Sequence, residues 1–300
     1  MKKLGRLLTA MVTPFKENGE LDYVQAKKLA LALLEAGNDG LVVGATTGEA
    51  PTLSWDEEER LFKEIKAAVG NKGDVIAYTG SNSTSEAVEA TEKATKLGVD
   101  ACLSVVPYYN KPDQEGIYQH FKAIAASTKL GIIMYNIPSR VVINMEPETI
   151  GRLSKIPNII GVKEASGNME HVANTINAVG DRNGKDFFIW SGNDNDTYPI
   201  MALGGYGVIG VTTHICGKQY HKMMDLLLAG KVAEAAAIHR HLVPLVNVLF
   251  KKPNPAPIKY ALNHLGFRVG NPRLPLVPPD EKTCKLIEDT LKNYTIDLKM

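Results

Sequence analysis

Short apolar runs rich in β-branched residues alternate with amphipathic stretches over most of the chain. Apolar runs bounded by turn residues are typical of strands that are covered on both faces, as in parallel sheets. Eight such runs predict eight strands, at residues 7–12, 40–44, 74–79, 100–105, 131–135, 159–163, 187–191 and 207–211.

Between these runs, apolar residues recur at helical spacing. The predicted helices are residues 22–36, 55–69, 84–97, 114–128, 147–153, 168–178, 195–203 and 217–229. Gly37, Gly70 and Gly98 follow the last periodic residues of the first three helices, where glycine commonly ends a helix. Eight strand–helix units at intervals of roughly 30 residues predict an α/β fold of the closed (β/α)8 barrel type, the TIM barrel. An open, doubly wound parallel sheet is the alternative.

The pattern after Gly230 is helical only, with predicted helices at residues 231–250, 258–265 and 281–293 separated by two proline-rich segments. This predicts two regions: a barrel over residues 1–229 that carries the active site, and a C-terminal helical extension over residues 230–300.

The formal net charge is +1, because the sequence has 34 basic and 33 acidic residues. The sequence has neither a basic stripe nor an acidic tail, so a nucleic acid or a membrane surface is not expected as a partner. A small-molecule substrate is expected instead. Cys102, Cys216 and Cys284 are far apart in sequence, which argues against disulfides and a cysteine-rich metal site. We therefore expect a cytoplasmic protein, and we interpret the apolar N-terminal residues as a first strand.

The sixth apolar run ends on Lys163, which small and polar residues follow at once. Ligand sites of parallel α/β folds lie beyond the carboxyl ends of the strands, so this lysine is predicted at the mouth of a site. A desolvated lysine loses its proton more easily, and the neutral amine can attack a carbonyl group to form a Schiff base. The alternative is a lysine that caps the strand with its ammonium in water.

Other predicted strand ends carry groups that suit imine chemistry. Residues 44–49 place Thr46 and Thr47 between glycines, which suits a carboxylate, although an ordinary strand–helix turn gives the same pattern. Tyr109 and Tyr135 follow or end two further strands, and phenols can move protons at an imine without a metal. Arg140 adds a planar guanidinium that can bind a carboxylate through two hydrogen bonds.

Four segments together resemble the dihydrodipicolinate synthase / N-acetylneuraminate lyase family. They are Gly-Ala-Thr-Thr-Gly-Glu at 44–49, Pro-Tyr-Tyr-Asn-Lys-Pro at 107–112, Tyr-Asn-Ile-Pro-Ser-Arg at 135–140 and Gly-Val-Lys-Glu at 161–164. Ser-Gly-Asn-Asp at 191–194 agrees, and the resemblance extends from Leu7 to about Pro279.

The resemblance implies that Lys163 forms the Schiff base with pyruvate, so that no cofactor and no metal is required. It implies further roles for the other residues. Thr47 would hold the pyruvate carboxylate, Tyr135 would relay protons through Thr46 to Tyr109, Arg140 would bind the second substrate, and Gly192 and Ile209 would line the pocket.

Within this family, an arginine at position 140 is typical of members that condense pyruvate with L-aspartate 4-semialdehyde, in the diaminopimelate route to lysine. We therefore expect a Schiff-base-forming lyase of this kind. The alternative keeps the imine but uses a sugar acid, such as N-acetylneuraminate or a 2-keto-3-deoxy sugar acid. A third hypothesis is a non-catalytic ligand-binding barrel.

The resemblance also implies a homotetramer, built as a dimer of dimers, in which Tyr109 is lent to the neighbouring subunit. Family members that L-lysine inhibits bind it at positions that match Ala50, Trp55, Glu58, Asn82, Glu86 and Tyr108. Glu58 replaces a histidine that is usual in inhibited bacterial members, so we expect no strong inhibition here.

Three other patterns do not predict a site. His239 and His241 are two residues apart on a predicted helix, so they cannot bind a metal from one face. His214 follows the eighth strand without neighbours at metal-ligand spacing. The glycines of residues 205–210 enter a strand, whereas those of a dinucleotide-binding motif leave one.

Overall fold

Eight parallel strands form a closed barrel in the computed structural model, which describes residues 2–299. Each strand pairs with the next one along the chain, and β8 closes the ring against β1. The strands are β1 Leu7–Ala10, β2 Gly40–Val43, β3 Asp74–Tyr78, β4 Ala101–Val105, β5 Gly131–Asn136, β6 Ile159–Glu164, β7 Phe188–Ser191 and β8 Gly207–Gly210. The predicted (β/α)8 barrel with C-terminal helices is confirmed, and the open sheet is excluded.

Twelve α-helices occur in the part of the chain that the structure describes. They are α1 Tyr23–Glu35, α2 Trp55–Val69, α3 Thr84–Lys96, α4 Gln114–Ala126, α5 Pro138–Val141, α6 Pro147–Leu153, α7 Met169–Val179, α8 Thr197–Ala202, α9 Thr213–Leu228, α10 Val232–Leu249, α11 Ala256–His264 and α12 Glu281–Leu291. Short 3-10 turns occupy Ala50–Thr52, Gly180–Arg182 and Asp194–Asp196.

Two helices differ from the prediction. The four-residue α5 was not expected, because a single turn is too short to show apolar periodicity. Helix α9 begins four positions before the predicted start at Gly217, and Cys216 has non-helical torsion angles within it (φ −120°, ψ 40°). The predicted segment is therefore the regular part of α9 that follows this kink.

Local sequence signals explain why helix α2 has its observed bounds. The Ser54 side chain accepts a hydrogen bond from the backbone N–H of Glu57, and the Glu57 side chain accepts one from the backbone N–H of Ser54. This capping box satisfies two amide groups that the first turn leaves free. Gly70 ends the helix at φ +56°, a value that favours glycine.

Contacts between residues group the chain into two compact units. The first contains Ile76–Ile209 and the residues up to Arg6, and it holds β4, β5, β6 and β7 entirely. In it, Tyr135 lies opposite Lys163 and Asn136 opposite Glu164 in the pairing of β5 with β6.

The second unit contains Leu7–Val75 and the residues from Gly210 onward. It holds β1, β2, α1, α2 and the helices from α9 to α12. Within it, the backbone N–H of Phe15 donates to the carbonyl of Val269 at 3.0 Å, so the segment after β1 is fixed to the segment after α11. The predicted division at residue 230 stays a prediction.

None of the helices among the described residues combines the length and the apolar character that a membrane-crossing helix needs.

Candidate active site

Lys163 is a buried lysine at the carboxyl end of β6. Only 4% of its surface is exposed, and its neighbours in the sheet are Tyr135 on β5 and Trp190 on β7. The ammonium nitrogen Nζ lies 4.3 Å from the centre of the Tyr135 ring. The sequence alone allowed a lysine that caps the strand with its ammonium group in solvent. The burial of Lys163 excludes that interpretation.

Burial lowers the pKa of Lys163 from 10.5 to about 8. The carboxylate of Asp194 opposes this shift, whereas the positive charge of Arg140 adds to it. With this pKa, roughly one amine in ten is neutral at pH 7, compared with about one in several thousand for an ordinary lysine. Burial therefore gives the site an amine that is neutral often enough to act as a nucleophile.

Gly192 lies directly against the stem of Lys163. A Cβ atom at Gly192 would be 2.8 Å from the Cβ of Ala165 and 3.1 Å from the Cγ of Lys163. A larger residue would push the lysine aside, so this position helps to define where Nζ stands. Ile209, the other predicted lining residue, is fully buried in β8.

The predicted tyrosines and arginine differ in exposure. Tyr135 is buried, with 3% of its surface exposed. Arg140 lies in α5, just after β5, and is exposed. Tyr109 is 89% exposed and has a positive φ of +72°, so in the isolated chain its phenol is in solvent.

In the second unit, the threonine segment after β2 is held by the C-terminal region. Thr47 is buried, Thr46 is half-buried, and the Thr47 hydroxyl accepts a hydrogen bond of 2.8 Å from the Asn254 side-chain amide. Because the hydroxyl accepts from Asn254, its own proton is available for another acceptor, such as a carboxylate. The Thr13 hydroxyl donates to the carbonyl of Gly48 at 2.6 Å and holds the same turn.

Glu49 ends this segment in a buried ion pair. Its carboxylate lies 2.6 Å from Nζ of Lys259, and both side chains are 1% exposed. The other carboxylate oxygen accepts from the backbone N–H of Arg273 at 2.8 Å. Glu49 also has a positive φ of +63°, which these contacts hold in place.

Asn254 and Lys259 were missed by the sequence analysis. Both lie in or after a proline-rich bend and carry no recognisable motif. The one available signal was the apolar surroundings of Lys259 between Ile258 and Ala261, which indicate a core-facing position.

The residues of the predicted lysine site vary in environment. Glu58 is 7% exposed, and burial, helped by the negative charge of Glu57, raises its pKa to about 8. Glu86 accepts a hydrogen bond from the hydroxyl of Ser81. The Asn82 carbonyl accepts from the Asn110 side chain, while Trp55 and Tyr108 are 44% and 39% exposed. Their common role as an effector site stays a prediction.

No group of three or more His, Cys, Asp or Glu side chains within residues 2–299 could hold a metal ion. His214, the candidate after β8, instead accepts from the Val12 backbone N–H at Nε2 and contacts the Val211 carbonyl through Nδ1.

A closed (β/α)8 barrel with a buried, low-pKa lysine beside a phenol fits the class of Schiff-base-forming lyases. Sequence and structure comparisons agree with this class. The model of the dihydrodipicolinate synthetase family matches residues 3–294, and the chain belongs to that family.

Named relatives cover almost the whole chain. A 4-hydroxy-tetrahydrodipicolinate synthase of Dehalococcoides mccartyi is 61% identical over 298 residues, which is 99% of each chain. Dihydrodipicolinate synthase DapA-2 of Bacillus anthracis is 41% identical, with a TM-score of 0.94 over 98% of this chain and 100% of that one. A lysine-bound dihydrodipicolinate synthase of Cyanidioschyzon merolae is 45% identical, with a TM-score of 0.94 over 97% of this chain and 98% of the other.

Proposed function

We propose that this protein catalyses the reaction for which its relatives are named, 4-hydroxy-tetrahydrodipicolinate synthesis. In it, pyruvate held as an imine on Lys163 condenses with L-aspartate 4-semialdehyde, in the diaminopimelate route to lysine. The observation that carries this proposal is the buried amine at the end of β6, whose pKa is about 8. The 61% identity to a relative of that name supports the choice of reaction.

The chemistry follows from the properties of an amine and a keto acid. Nζ of Lys163 attacks the keto carbon of pyruvate, the carbinolamine loses water, and an imine remains. The protonated imine withdraws electrons, so the methyl group loses a proton and becomes a carbon nucleophile. That carbon forms a bond with the aldehyde carbon of the second substrate, and the aldehyde oxygen takes up a proton. The amino group of the second substrate then attacks the imine carbon and displaces Nζ of Lys163, which closes the ring of the product and frees the lysine.

Each proton transfer needs a group near the imine nitrogen. Tyr135, whose ring lies 4.3 Å from Nζ, is suited to this task. The resemblance assigns Thr46 and Tyr109 to the same relay. The imine itself supplies the electron withdrawal, so the proposed reaction uses no cofactor and no metal.

Carboxylate binding is assigned to two segments. Thr47, with its proton free and neighbouring backbone amides, is proposed to hold the carboxylate of pyruvate. The exposed guanidinium of Arg140 is proposed to bind the carboxylate of the aldehyde. Gly192 and Ile209 complete the proposed pocket.

We further propose a cytoplasmic homotetramer, a dimer of dimers in which Tyr109 serves the active site of the neighbouring subunit. The 89% exposure of Tyr109 supports this, because a phenol with a catalytic role would otherwise stand in water. The relative from Cyanidioschyzon merolae is described with lysine bound. For this chain we keep the expectation of weak inhibition, and clear inhibition by L-lysine at modest concentration would contradict it.

Reduction of the imine provides the direct test. Borohydride added with pyruvate should leave a reduced pyruvyl group on Lys163, found by peptide mass analysis. Lys259 is a matched internal control, since burial also lowers its pKa to about 8 but Glu49 holds it in an ion pair. Absence of the adduct on Lys163, or equal labelling of Lys259, would remove the mechanism.

A second assay selects the substrate. The protein should consume aspartate semialdehyde together with pyruvate and should release no pyruvate from N-acetylneuraminate. The opposite result would select the sugar-acid alternative, and no turnover of either would favour the binding protein.

A further inference from the structure

The segment that carries Arg140 is short, exposed and locally strained. Helix α5 has four residues, and Val142 directly after it has a φ of +74° and is 66% exposed. A β-branched residue rarely adopts this backbone conformation, so other contacts must hold the segment. Those contacts lie at its return end, at Asn144 and Met145.

Asn136, the last residue of β5, fixes that return end. Its side-chain amide donates to the Asn144 side-chain oxygen at 2.8 Å and to Glu164 at 3.0 Å. Its side-chain oxygen accepts from the backbone N–H of Met145 at 3.0 Å. Asn136 is fully buried, and its bonds to Glu164 and Met145 are out of contact with water, whereas the bond to the half-buried Asn144 is partly buried. Together the bonds to Asn144 and Met145 hold both ends of residues 137–144 together.

Glu164 and His171 make further contacts with Asn136 and Asn144. The Glu164 carboxylate is 1% exposed, accepts from the Ser166 backbone N–H at 2.6 Å and lies 3.4 Å from Nε2 of His171. Nδ1 of His171 is 3.3 Å from the side-chain nitrogen of Asn144. A ring protonated at Nε2 faces Glu164 with its proton and offers Nδ1 to Asn144 as an acceptor. We call Asn136, Asn144, Glu164 and His171 the Asn136 network.

The side chains of Asn136 and Glu164 lie on the face of β5 and β6 opposite to the face that carries Tyr135 and Lys163. Neighbouring residues of a strand point to opposite faces, and Asn136 and Glu164 directly follow Tyr135 and Lys163 in the two paired strands. The network side chains therefore do not line the space into which Lys163 projects. Any effect that they have on the reaction must pass through the residues they hold.

We propose that the Asn136 network positions the Arg140 guanidinium for the carboxylate of the second substrate. This inference rests on the proposed function, in which Arg140 binds that carboxylate. The members are positioning residues: they set where α5 stands and leave the capture of pyruvate by Lys163 unchanged.

Asn144→Ala is the informative variant, because it removes two contacts of the network and keeps the backbone carbonyl that accepts from Gln114 at 2.8 Å. We expect the KM for aspartate semialdehyde to rise about tenfold. This is the size of effect expected when the charge-assisted contact between Arg140 and the substrate carboxylate is partly lost. The KM for pyruvate and borohydride trapping at Lys163 should stay unchanged, and intact trapping also shows that the variant is folded. Should this variant not fold, Gln114→Ala loosens the same return end and is measured in the same way.

A double mutant tests whether the effect passes through Arg140. Arg140→Ala alone should raise the KM for the aldehyde roughly fiftyfold, and adding Asn144→Ala should raise it no further, because contacts that act as one unit are not additive. Asn158→Ala is the matched control. Asn158 precedes the other end of β6 and donates to the carbonyls of Ala125 and Thr128, so its loss should lower stability but leave both KM values unchanged.

The outcomes separate the two proposals. If Arg140→Ala raises the aldehyde KM and Asn144→Ala does not, or if the two effects multiply, the positioning role is refuted. If Asn144→Ala and Asn158→Ala raise this KM equally, the effect is one of general stability, and the positioning role is again refuted. If the wild-type protein does not consume aspartate semialdehyde, or if Arg140→Ala leaves its KM unchanged, the proposed function fails and this inference with it.

Discussion

Replacing Lys163 by methionine should make the folded protein more stable near neutral pH. Burial lowers the pKa of Lys163 from 10.5 to about 8, so the folded state disfavours the ammonium form. In the unfolded chain the same lysine binds its proton with the ordinary affinity. A pKa difference of this size corresponds to about 3 kcal/mol of unfolding free energy.

The sign of the effect follows from proton linkage. Between pH 8 and 10.5 the unfolded state binds more protons than the folded state, so the contribution of Lys163 to stability improves as the pH rises. The cost is full below the folded pKa of about 8 and fades as the pH approaches the unfolded value. Methionine carries no charge, so its variant lacks this cost at every pH.

The measurement is the free energy of unfolding in urea at pH 7 and pH 10, at a fixed protein concentration. The advantage of Lys163→Met should shrink by about 2–3 kcal/mol between the two pH values. Packing differences between lysine and methionine do not depend on pH, so they cancel in this comparison. Lys155→Met, at an exposed position, is the control and should show no such change. An advantage that stays constant with pH would refute the reasoning that burial depresses this pKa.

Three further outcomes follow from the site. Asn254→Ala removes the donor that orients the Thr47 hydroxyl, so the KM for pyruvate should rise about fivefold, the value expected for one neutral hydrogen bond. At saturating pyruvate, borohydride should still trap pyruvate on Lys163. Glu49→Gln leaves Lys259 buried without its counter-charge and should lower the free energy of unfolding in urea by about 3 kcal/mol. Tyr109→Phe and Lys163→Met should each be slow or inactive alone, but mixed oligomers of the two should regain activity, because in the proposed oligomer one subunit supplies the lysine and the other the phenol.

If Asn254→Ala lowers borohydride trapping of pyruvate on Lys163 even at saturating pyruvate, the role of Asn254 is contradicted. Combining Glu49→Gln with Lys259→Met should cost less stability than Glu49→Gln alone, since no charge is then left unpaired. If mixing the two active-site variants restores no activity, the lending of Tyr109 between subunits is wrong.

The fold could be predicted from the sequence because its signals are local. The strand from Ile159 to Glu164 is an apolar run that turn residues bound, and the capping box at Ser54 marks where α2 begins. Lys163 stood out for the same reason, since a lysine is unusual at the end of a buried run. The pKa of its amine could not be predicted in the same way, because it depends on the depth of burial and on Asp194 and Arg140, which are distant in sequence.

The supporting contacts of the site could not be predicted, because they join distant parts of the chain. Asn254 is 207 residues from Thr47, and Lys259 is 210 residues from Glu49. In the Asn136 network, Glu164 is 28 residues from Asn136. The apolar neighbours of Lys259 indicate that it faces the core, but they do not identify Glu49 as its partner.

The placement of α5 has a consequence for how this enzyme family diversifies. Lys163, Tyr135 and Gly192 lie in or against buried strands, where almost any change disturbs the neighbouring side chains. Ser139 and Arg140 lie on an exposed turn, and the residues at its return end are bonded to the buried Asn136. Under the proposed function, a change of acceptor aldehyde therefore requires changes only in this outer turn, and the reaction of the keto acid with Lys163 is kept. Libraries that seek new acceptors should vary positions 139–143 and leave the strands untouched.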